Sequence, residues 1–512
     1  MCARGHMLVA YDLGLGKTVL TIAAVERLME ERKIKEPGIV ICLSSLKYQW
    51  ANQIEKFTDG TSHALVIDGT PKQRAAQYEK AQDWRNTHVD YVVINYEQVV
   101  NDWEFIKKLP HGFIVIDEAT AIKSFRSKRS RYTKKLSNAP YKFALTGTPI
   151  ENGKPEELFS IMQFVDAKVL GRFDIFDQAF IVRNSWGAVD RYRNLPTLHN
   201  RLKEACVRKS QLDPDVAPYL PDSIHNDPIF VPLERKAAKL YARIVKDVIF
   251  DLEEAQSLFG SSFNVLAHYG YESKFGGPGD EIRGKIMSKI GCLKMLCQHP
   301  DLLRISAEKF NAMKGEGSAY AKELLDSGDL DGVVNSPKLE TLVNYVKDFL
   351  DQDPGNKVVI FATYVAMTAK IMERLGTDQC RVYTGQLDAQ AKEDNKVAFN
   401  TDPSIRVLIS SDAGGYGVDL PAANLLVNYD LPWSSGAATQ RNGRIKRASS
   451  KWPSIVIQDI LTAGSIEVRQ YEALQQKNAV ATAVIDGEGI DDKGGVTLSA
   501  GSLSKFLRDT FV

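Results

Sequence analysis

An α/β fold of two parallel-sheet lobes with a helical insertion between them is what this sequence predicts, and three observations predict it. Short apolar runs alternate with amphipathic stretches from about residue 6 to 165, and the same rhythm returns from about 337 to 485. Such alternation indicates parallel strands joined by crossover helices. Between the two regions, residues 233–256 and 282–303 read as long helices. At 512 residues the chain is also too long for one core, given about 150 residues per domain. The expected boundaries are 1–230 for a first lobe, 231–335 for the helical insertion and linker, 336–486 for a second lobe, and 487–512 for a tail.

The strands of the first lobe are expected at "MLVAY", "GIVICL", "ALVID", "YVVINY", "FIVID" and "KFALTG". Each is a short apolar run, as a strand buried on both faces requires. Between them "LKYQWANQIEKF" has helical spacing, with Leu46, Trp50, Ile54 and Phe57 on one face. In the insertion, "FGSSFNVLAHYGYESKFGGPGDE" is Gly-rich and aromatic and predicts a loop or hairpin-like excursion. Residues 304–335 are polar and acidic. The second lobe repeats the strand pattern at "KVVIFA", "CRVYTG", "RVLISS", "LLVNYD" and "SIVIQDIL". Its tail is Gly-rich from Gly487 to Gly501, and "SLSKFLRDTFV" suits a short docking helix.

Composition narrows the class. The chain is 44% hydrophobic and 25% charged, ordinary values for a globular protein. No run of about 18 apolar residues occurs, as a membrane-crossing helix requires, so no membrane partner is expected. The six cysteines form no CxxC pair and read as reduced thiols. A formal net charge of +1 disfavours a chain-wide attraction to nucleic acid, though a local basic groove remains compatible with it.

"DLGLGKT", Asp12–Thr18, follows a strand pattern and opens a helix pattern. Gly14 and Gly16 would let the backbone turn its N–H groups toward phosphate oxygens. Lys17 would reach the β- and γ-phosphates, and Thr18 would ligate Mg²⁺. The general form of such loops has Gly where Tyr11 stands, and alone the stretch would also suit a Gly-rich turn with an exposed lysine. About a hundred residues on, Asp117 and Glu118 end the run "FIVID". At the C-terminal end of a parallel strand an Asp can hold Mg²⁺ and a Glu can deprotonate water. An acidic helix cap would look similar. The second lobe has neither feature but carries "QRNGRIKRASS", with Arg441, Arg444, Lys446 and Arg447 in eight residues. On a helix reaching over a cleft, those arginines would neutralise charge that develops in phosphoryl transfer. Alone, the stretch would read as a solvated cationic face.

In this order the motifs resemble those of Swi/Snf-type ATPases of helicase superfamily two, over nearly the whole chain. "DLGLGKT" is similar to motif I, "ICLSSLKYQWANQIEKF" to Ia, "VINYE" to Ib, "DEAT" to II and "LTGTPIENGKPEELFSIMQFV" to III and its continuation. "VRKSQLDPDVAPYLPDS" resembles the segment that closes the first lobe; "VPLERKAAKLYARI" and "LKMLCQHPDLL" resemble helical protrusion segments. "SPKLETL" resembles the family's approach to lobe two, and "VVIFATY", "SSDAGGYGVDL" and "QRNGRIKR" its motifs IV, V and VI.

The resemblance implies two RecA-like lobes and a DNA-dependent ATPase with ATP and Mg²⁺ as cofactors. It implies Lys17 on the phosphates, Thr18 and Asp117 on Mg²⁺, and Glu118 as the activator of water. Thr146, Gly147 and Thr148 would couple nucleotide state to DNA. Gly415, Gly417 and Asp419 would serve motif V, and Gln440, Arg444 and Arg447 motif VI, the two arginines as fingers. Arg441 is expected to serve packing or lobe contacts. It also makes "CQHP" a packing segment, which argues against a zinc site at Cys292, Cys297 and His299.

The implied partner is the backbone of duplex DNA, bound without sequence readout. Candidate contacts are Ser45, Asn95, Lys128 and Arg129, with Lys47, Arg126 and Arg131 beside them. The expected function is an ATP-dependent translocase on duplex DNA, a monomer acting in a prokaryotic or viral-host cytoplasm. The alternatives are a strand-separating or annealing helicase and a nucleotide-gated DNA clamp with little turnover. Four departures stand out: Thr120 replaces a His, Asn95 a hydroxyl residue, and Ser449 and Ser450 a Gly-Gln pair. Only eleven residues precede Asp12, where the family carries a segment with an adenine-reading Gln. Weak ATP binding with poor discrimination against GTP is the expectation from that difference.

Overall fold

A computed structural model of the chain describes residues 1–183, 189–259, 280–311, 313–412, 418–489 and 496–497. The chain divides into two compact units. The first comprises residues 1–183, 189–217, 476–489 and 496–497; the second comprises the remaining described residues.

The first unit is built on a parallel sheet of seven strands. They are β1 (His6–Tyr11), β2 (Gly38–Cys42), β3 (Ala64–Val66), β4 (Tyr91–Asn95), β5 (Ile114–Ile116), β6 (Lys142–Leu145) and β9 (Cys206–Lys209). The order across the sheet is β3-β4-β2-β5-β6-β1-β9. Side chains alternate between the faces, as the two-residue period of a strand dictates. Leu8, Ala10, Ile39, Ile41, Ile114 and Ile116 enter one core, and Val9, Val40, Val115, Phe143 and Leu145 the other. Both faces are covered, which is why these strands read as unbroken apolar runs. A small antiparallel sheet joins β7 (Ile181–Arg183), β8 (Val189–Tyr192) and β17 (Val496–Thr497).

All six strands expected in the first lobe are present, as β1 to β6. The helix expected at "LKYQWANQIEKF" runs Lys47–Phe57 and buries Lys47, Trp50 and Ile54. Leu46 lies in the 3-10 turn before it, and Phe57 is exposed because the helix stops there. Val480, Ala483, Val484 and Ile485, from the helix Ile466–Ile485, complete the first core.

The second unit carries another parallel sheet, ordered β10-β16-β15-β12-β14-β13, with β11 also paired to β16. These are β10 (Asp222–His225), β11 (Ile229–Val231), β12 (Val358–Phe361), β13 (Cys380–Tyr383), β14 (Val407–Ser410), β15 (Leu425–Asn428) and β16 (Ser454–Thr462). The helices Arg235–Phe259, Asp280–Gln298, Asp301–Glu308, Ala319–Asp326 and Pro337–Gln352 do not form a core of their own. Tyr241, Ile244, Val248, Leu293, Leu342 and Val346 share one with Val358, Ile360 and Val427 of the sheet. A buried ion pair fastens the helices to the sheet: Lys338 Nζ donates to both Glu467 oxygens at 2.8 and 2.6 Å, with side chains 3% and 1% exposed. Glu467 also accepts the Thr462 N–H at the end of β16, at 2.7 Å. Most of the Gly-rich aromatic excursion and of the tail lies outside the described residues.

Candidate functional site

In the first unit the order β5-β6-β1-β9 places the C-terminal ends of four parallel strands side by side. The segment that leaves each strand carries polar residues. In open parallel sheets this edge is where ligands bind.

The loop after β1 turns through Gly14 and Gly16, both at positive φ (80° and 75°), and Gly16 caps the helix Lys17–Glu30. L-residues with a Cβ resist that conformation, so the glycines permit the turn. The helix begins at Lys17, so the N–H groups of its first turn, Thr18 among them, have no partner within the helix and can receive an anion. Lys17 Nζ folds back and donates to the carbonyls of Tyr11 (3.0 Å) and Asp12 (3.2 Å).

Beyond β5, Asp117 is buried. Its Oδ2 accepts the Trp50 indole N–H at 2.8 Å, its Oδ1 accepts the Glu118 backbone N–H at 2.9 Å, and its carbonyl accepts the Tyr96 hydroxyl at 2.6 Å. Burial raises its pKa; the Trp50 bond, the Lys17 charge and the Glu118 N–H oppose that rise. Glu118 sits at φ 47°, ψ 58°. That left-handed conformation costs a residue with a side chain about 1–2 kcal/mol, and such strain clusters at functional sites.

Past β6, Thr146 Oγ1 accepts the Thr148 N–H at 3.1 Å, and Thr148 Oγ1 is buried with no hydrogen-bond partner among the described residues. A Cβ on Gly147 would stand 3.3 Å from Leu13 and 3.5 Å from Lys17 Nζ, so this turn rests directly on the phosphate loop. On β9, Arg208 pairs with Asp12, and just beyond the strand the Gln211 N–H donates to Asp12 Oδ2 at 2.9 Å. The structure thus brings Gly14, Gly16, Lys17, Thr18, Asp117, Glu118, Thr146, Gly147 and Thr148 to one edge.

The expected DNA residues divide by their local work. Asn95 is buried and caps the helix Tyr96–Asn101, accepting the Gln98 N–H at 2.8 Å; its amide donates to Ser44 Oγ at 3.4 Å. Lys47 is 2% exposed and holds the Ile67 carbonyl (2.8 Å) and Asp68 (3.0 Å), which corrects its reading as a DNA contact. Ser45, Lys128, Arg129 and Arg131 are exposed; Arg126, also exposed, lies over the Phe125 ring, and Arg129 pairs with Glu97.

In the second unit the arginine stretch differs from its expected form. The helix Ser435–Asn442 ends before most of it, with Gly443 as its cap, so Arg444 and Arg447 lie in the following turns. They are not a solvated face either: Arg441, Arg444 and Arg447 are 4%, 5% and 6% exposed. Arg441 is a packing residue. It donates to Asp412 Oδ1 (2.6 Å), the Asp430 carbonyl (2.6 Å) and Thr363 Oγ1 (3.1 Å), which follow β14, β15 and β12. Arg444 donates to the Val418 carbonyl at 3.4 Å, and its own carbonyl accepts the Leu420 N–H at 3.0 Å.

Arg447 is different. Its Nη2 pairs with Asp419 at 2.6 Å, but its Nε and Nη1 are buried without a hydrogen-bond partner among the described residues. Burial pulls its pKa below the ordinary arginine value, against the charge of Asp419. Gln440 is buried on the helix, while Gly415 and Gly417 lie outside the described residues.

Trp50, Arg208 and Asp486 were not foreseen as site residues. Trp50 was legible only as a core position. Arg208 meets Asp12 across about 200 residues of sequence and Asp486 across about 280, beyond the reach of any local pattern.

Residues 2–302 match the family model described as SNF2-related domain, and residues 337–449 the one described as Helicase conserved C-terminal domain. The putative ATP-dependent helicase/translocase YwqA of Bacillus subtilis is 26% identical over 489 residues, covering 94% of this chain and 46% of that protein. The DNA repair and recombination protein RAD54-like of Gallus gallus is 26% identical over 496 residues, covering 94% of this chain and 64% of that protein. The chain therefore spans about half to two thirds of these relatives. The Pyrococcus furiosus Hef helicase domain superposes with a TM-score of 0.50 at 17% identity, covering 92% of this chain and 95% of that one, a likeness of fold.

Proposed function

The chain belongs to the SNF2-related family of helicase-like ATPases in superfamily two, and from that membership we propose that it is a DNA-dependent ATPase that uses hydrolysis to move along duplex DNA. The observation that carries this reading is the convergence of Lys17, Asp117, Glu118 and Thr146–Thr148 at adjoining strand ends. The names of relatives in DNA repair and helicase or translocase work support the choice of DNA.

In this reading the N–H groups of the loop and first helical turn cradle the phosphates, and Lys17 leaves its two carbonyls to reach them. Glu118 takes the proton of the attacking water. Arg444 and Arg447 supply positive charge to the phosphoryl group as it transfers. Mg²⁺ suits the donors available: the Thr18 hydroxyl and Asp117 carboxylate are hard oxygen ligands, and Asp117 is buried where its charged form is disfavoured, a cost that a bound cation would offset. When bound, it would neutralise charge on the phosphates. The DNA contacts are proposed at Ser45, Lys128 and Arg129 on the exposed surface and at Asn95 through its cap.

The test is steady-state ATP hydrolysis with and without duplex DNA across a salt series. Stimulation that fades as salt rises is expected, because phosphate contacts release counterions. Stimulation by single strands only would favour the strand-separating reading, and none by any DNA would remove the motor.

A further inference from the structure

Arg208 takes part in neither the phosphate loop nor the acidic pair, yet it is built into the first of them. Its Nη1 pairs with Asp12, the first residue of the loop, and donates to the Ala10 carbonyl at 3.0 Å. Its Nε donates to Asp486 Oδ1 at 2.7 Å. Two neighbours extend the grip: the Gln211 N–H holds Asp12 Oδ2 at 2.9 Å, and Gln211 Nε2 holds the Leu13 carbonyl at 2.9 Å. Asp12 is also the residue whose carbonyl accepts Lys17 Nζ. A continuous chain of charge-assisted bonds therefore runs from Asp486 through Arg208 and Asp12 to the lysine.

Asp486 is itself held in place. It follows the helix Ile466–Ile485, whose last residues Val480, Ala483, Val484 and Ile485 lie in the first core. The Val484 carbonyl lies 3.2 Å from His199 Nδ1. The same stretch meets the segment that follows β6: a Cβ on Gly153 would lie 2.8 Å from Lys477 Cα. Residues 476–486 thus touch the segment after β6 directly and the loop after β1 through Arg208.

We propose that Arg208 is a positioning residue for the phosphate loop, and that Asp486 sets Arg208, so that docking of residues 476–486 determines how tightly the loop holds nucleotide. This rests on the nucleotide-site reading above. The physical reason is the shape of the guanidinium. One planar fork can bind a carboxylate on each side and a carbonyl between them, whereas an ammonium is a single point charge that must choose. Without Asp486 the fork is free to swing, and Asp12 loses its fixed partner. The loop then spends part of its time with N–H groups out of line, and apparent affinity falls with the fraction of competent loop.

The experiment uses the full chain and a fluorescent ATP analogue titrated at a temperature where all variants give the wild-type circular dichroism spectrum. Arg208→Lys is expected to raise Kd about tenfold, the scale of a lost charge-assisted hydrogen bond. Asp486→Asn, at a partly exposed helix end where the fold has little to lose, is expected to raise it about threefold. The double variant should be no weaker than Arg208→Lys alone, because both act through one chain of bonds. In hydrolysis the loss should appear in KM, with kcat within about twofold, since Arg208 touches no reacting atom. A lower Tm in both variants with unchanged Kd would overturn the proposal and leave Arg208 as an ordinary structural ion pair. Additive losses in the double variant would overturn the relay. Failure of the wild-type chain to bind the analogue would instead remove the nucleotide-site reading and this inference with it.

Discussion

Replacing Arg447 with methionine should move stability and activity in opposite directions. The side chain is 6% exposed, and two of its nitrogens, Nε and Nη1, are buried with no acceptor among the described residues. A buried donor left unpaired costs roughly 1–3 kcal/mol. Its ion pair to an Asp419 carboxylate that is 64% exposed offsets at most about 1 kcal/mol after solvent screening. Methionine keeps much of the length and removes the unpaired donors. Arg447→Met should therefore leave the fold as stable as before or about 1–2 kcal/mol more stable, an upward Tm shift of a few degrees for a domain of this size. Hydrolysis should fall by roughly 10³–10⁵, the range of an arginine finger, or about 4–7 kcal/mol of barrier. Differential scanning calorimetry and a coupled ATPase assay at saturating DNA measure the two quantities on one preparation. Lys446→Ala is the control, expected to hydrolyse ATP at nearly the wild-type rate. A methionine variant that loses more than about 2 kcal/mol of stability and hydrolyses ATP normally would refute the reasoning, because the unpaired donors would then belong to the core.

Three further outcomes follow from the same geometry. Glu118→Gln should bind ATP and nearly abolish turnover in a steady-state assay, and Glu118→Gly should do the same while gaining about 1 kcal/mol in chemical denaturation by relieving the left-handed backbone. Gly153→Ala should cost about 2 kcal/mol or more, since φ is +65° and the new Cβ would press on the Lys477 backbone; a denaturation midpoint within error of wild type would contradict the close approach. Lys338→Met should destabilise the second unit by about 3–5 kcal/mol, with much of that recovered in Lys338→Met/Glu467→Leu, as expected when the cost is an unpaired buried charge; urea melts of the single and double variants decide it.

How much was legible depended on how local the cause is. The central strands were readable because burial on both faces demands unbroken apolar runs, as in "GIVIC" and "VVIF". Strand β9, "CVRK", and strand β10, "DSIH", gave no such signal: their residues are half-buried or exposed, and their pairing is settled by neighbours hundreds of residues away. Lys17, Thr18, Asp117 and Glu118 were readable because loop chemistry is written in consecutive residues. The arginine stretch was readable as charge but not as structure. Its helix stops at Asn442, and the cations beyond are buried because Val418, Asp419 and Leu420 come to meet them. The role of Arg208 was hidden for the same reason, since its two carboxylate partners are far from it and from each other in sequence.

The bond from the Trp50 indole to Asp117 makes a chromophore part of the candidate site. Indole emission is sensitive to what its N–H donates to. A cation or a nucleotide arriving at Asp117 changes the charge on that acceptor, and Trp50 must register the change in its spectrum. Occupancy could then be followed by light, without a label, in a chain of six tryptophans where Trp50→Phe identifies which one is speaking.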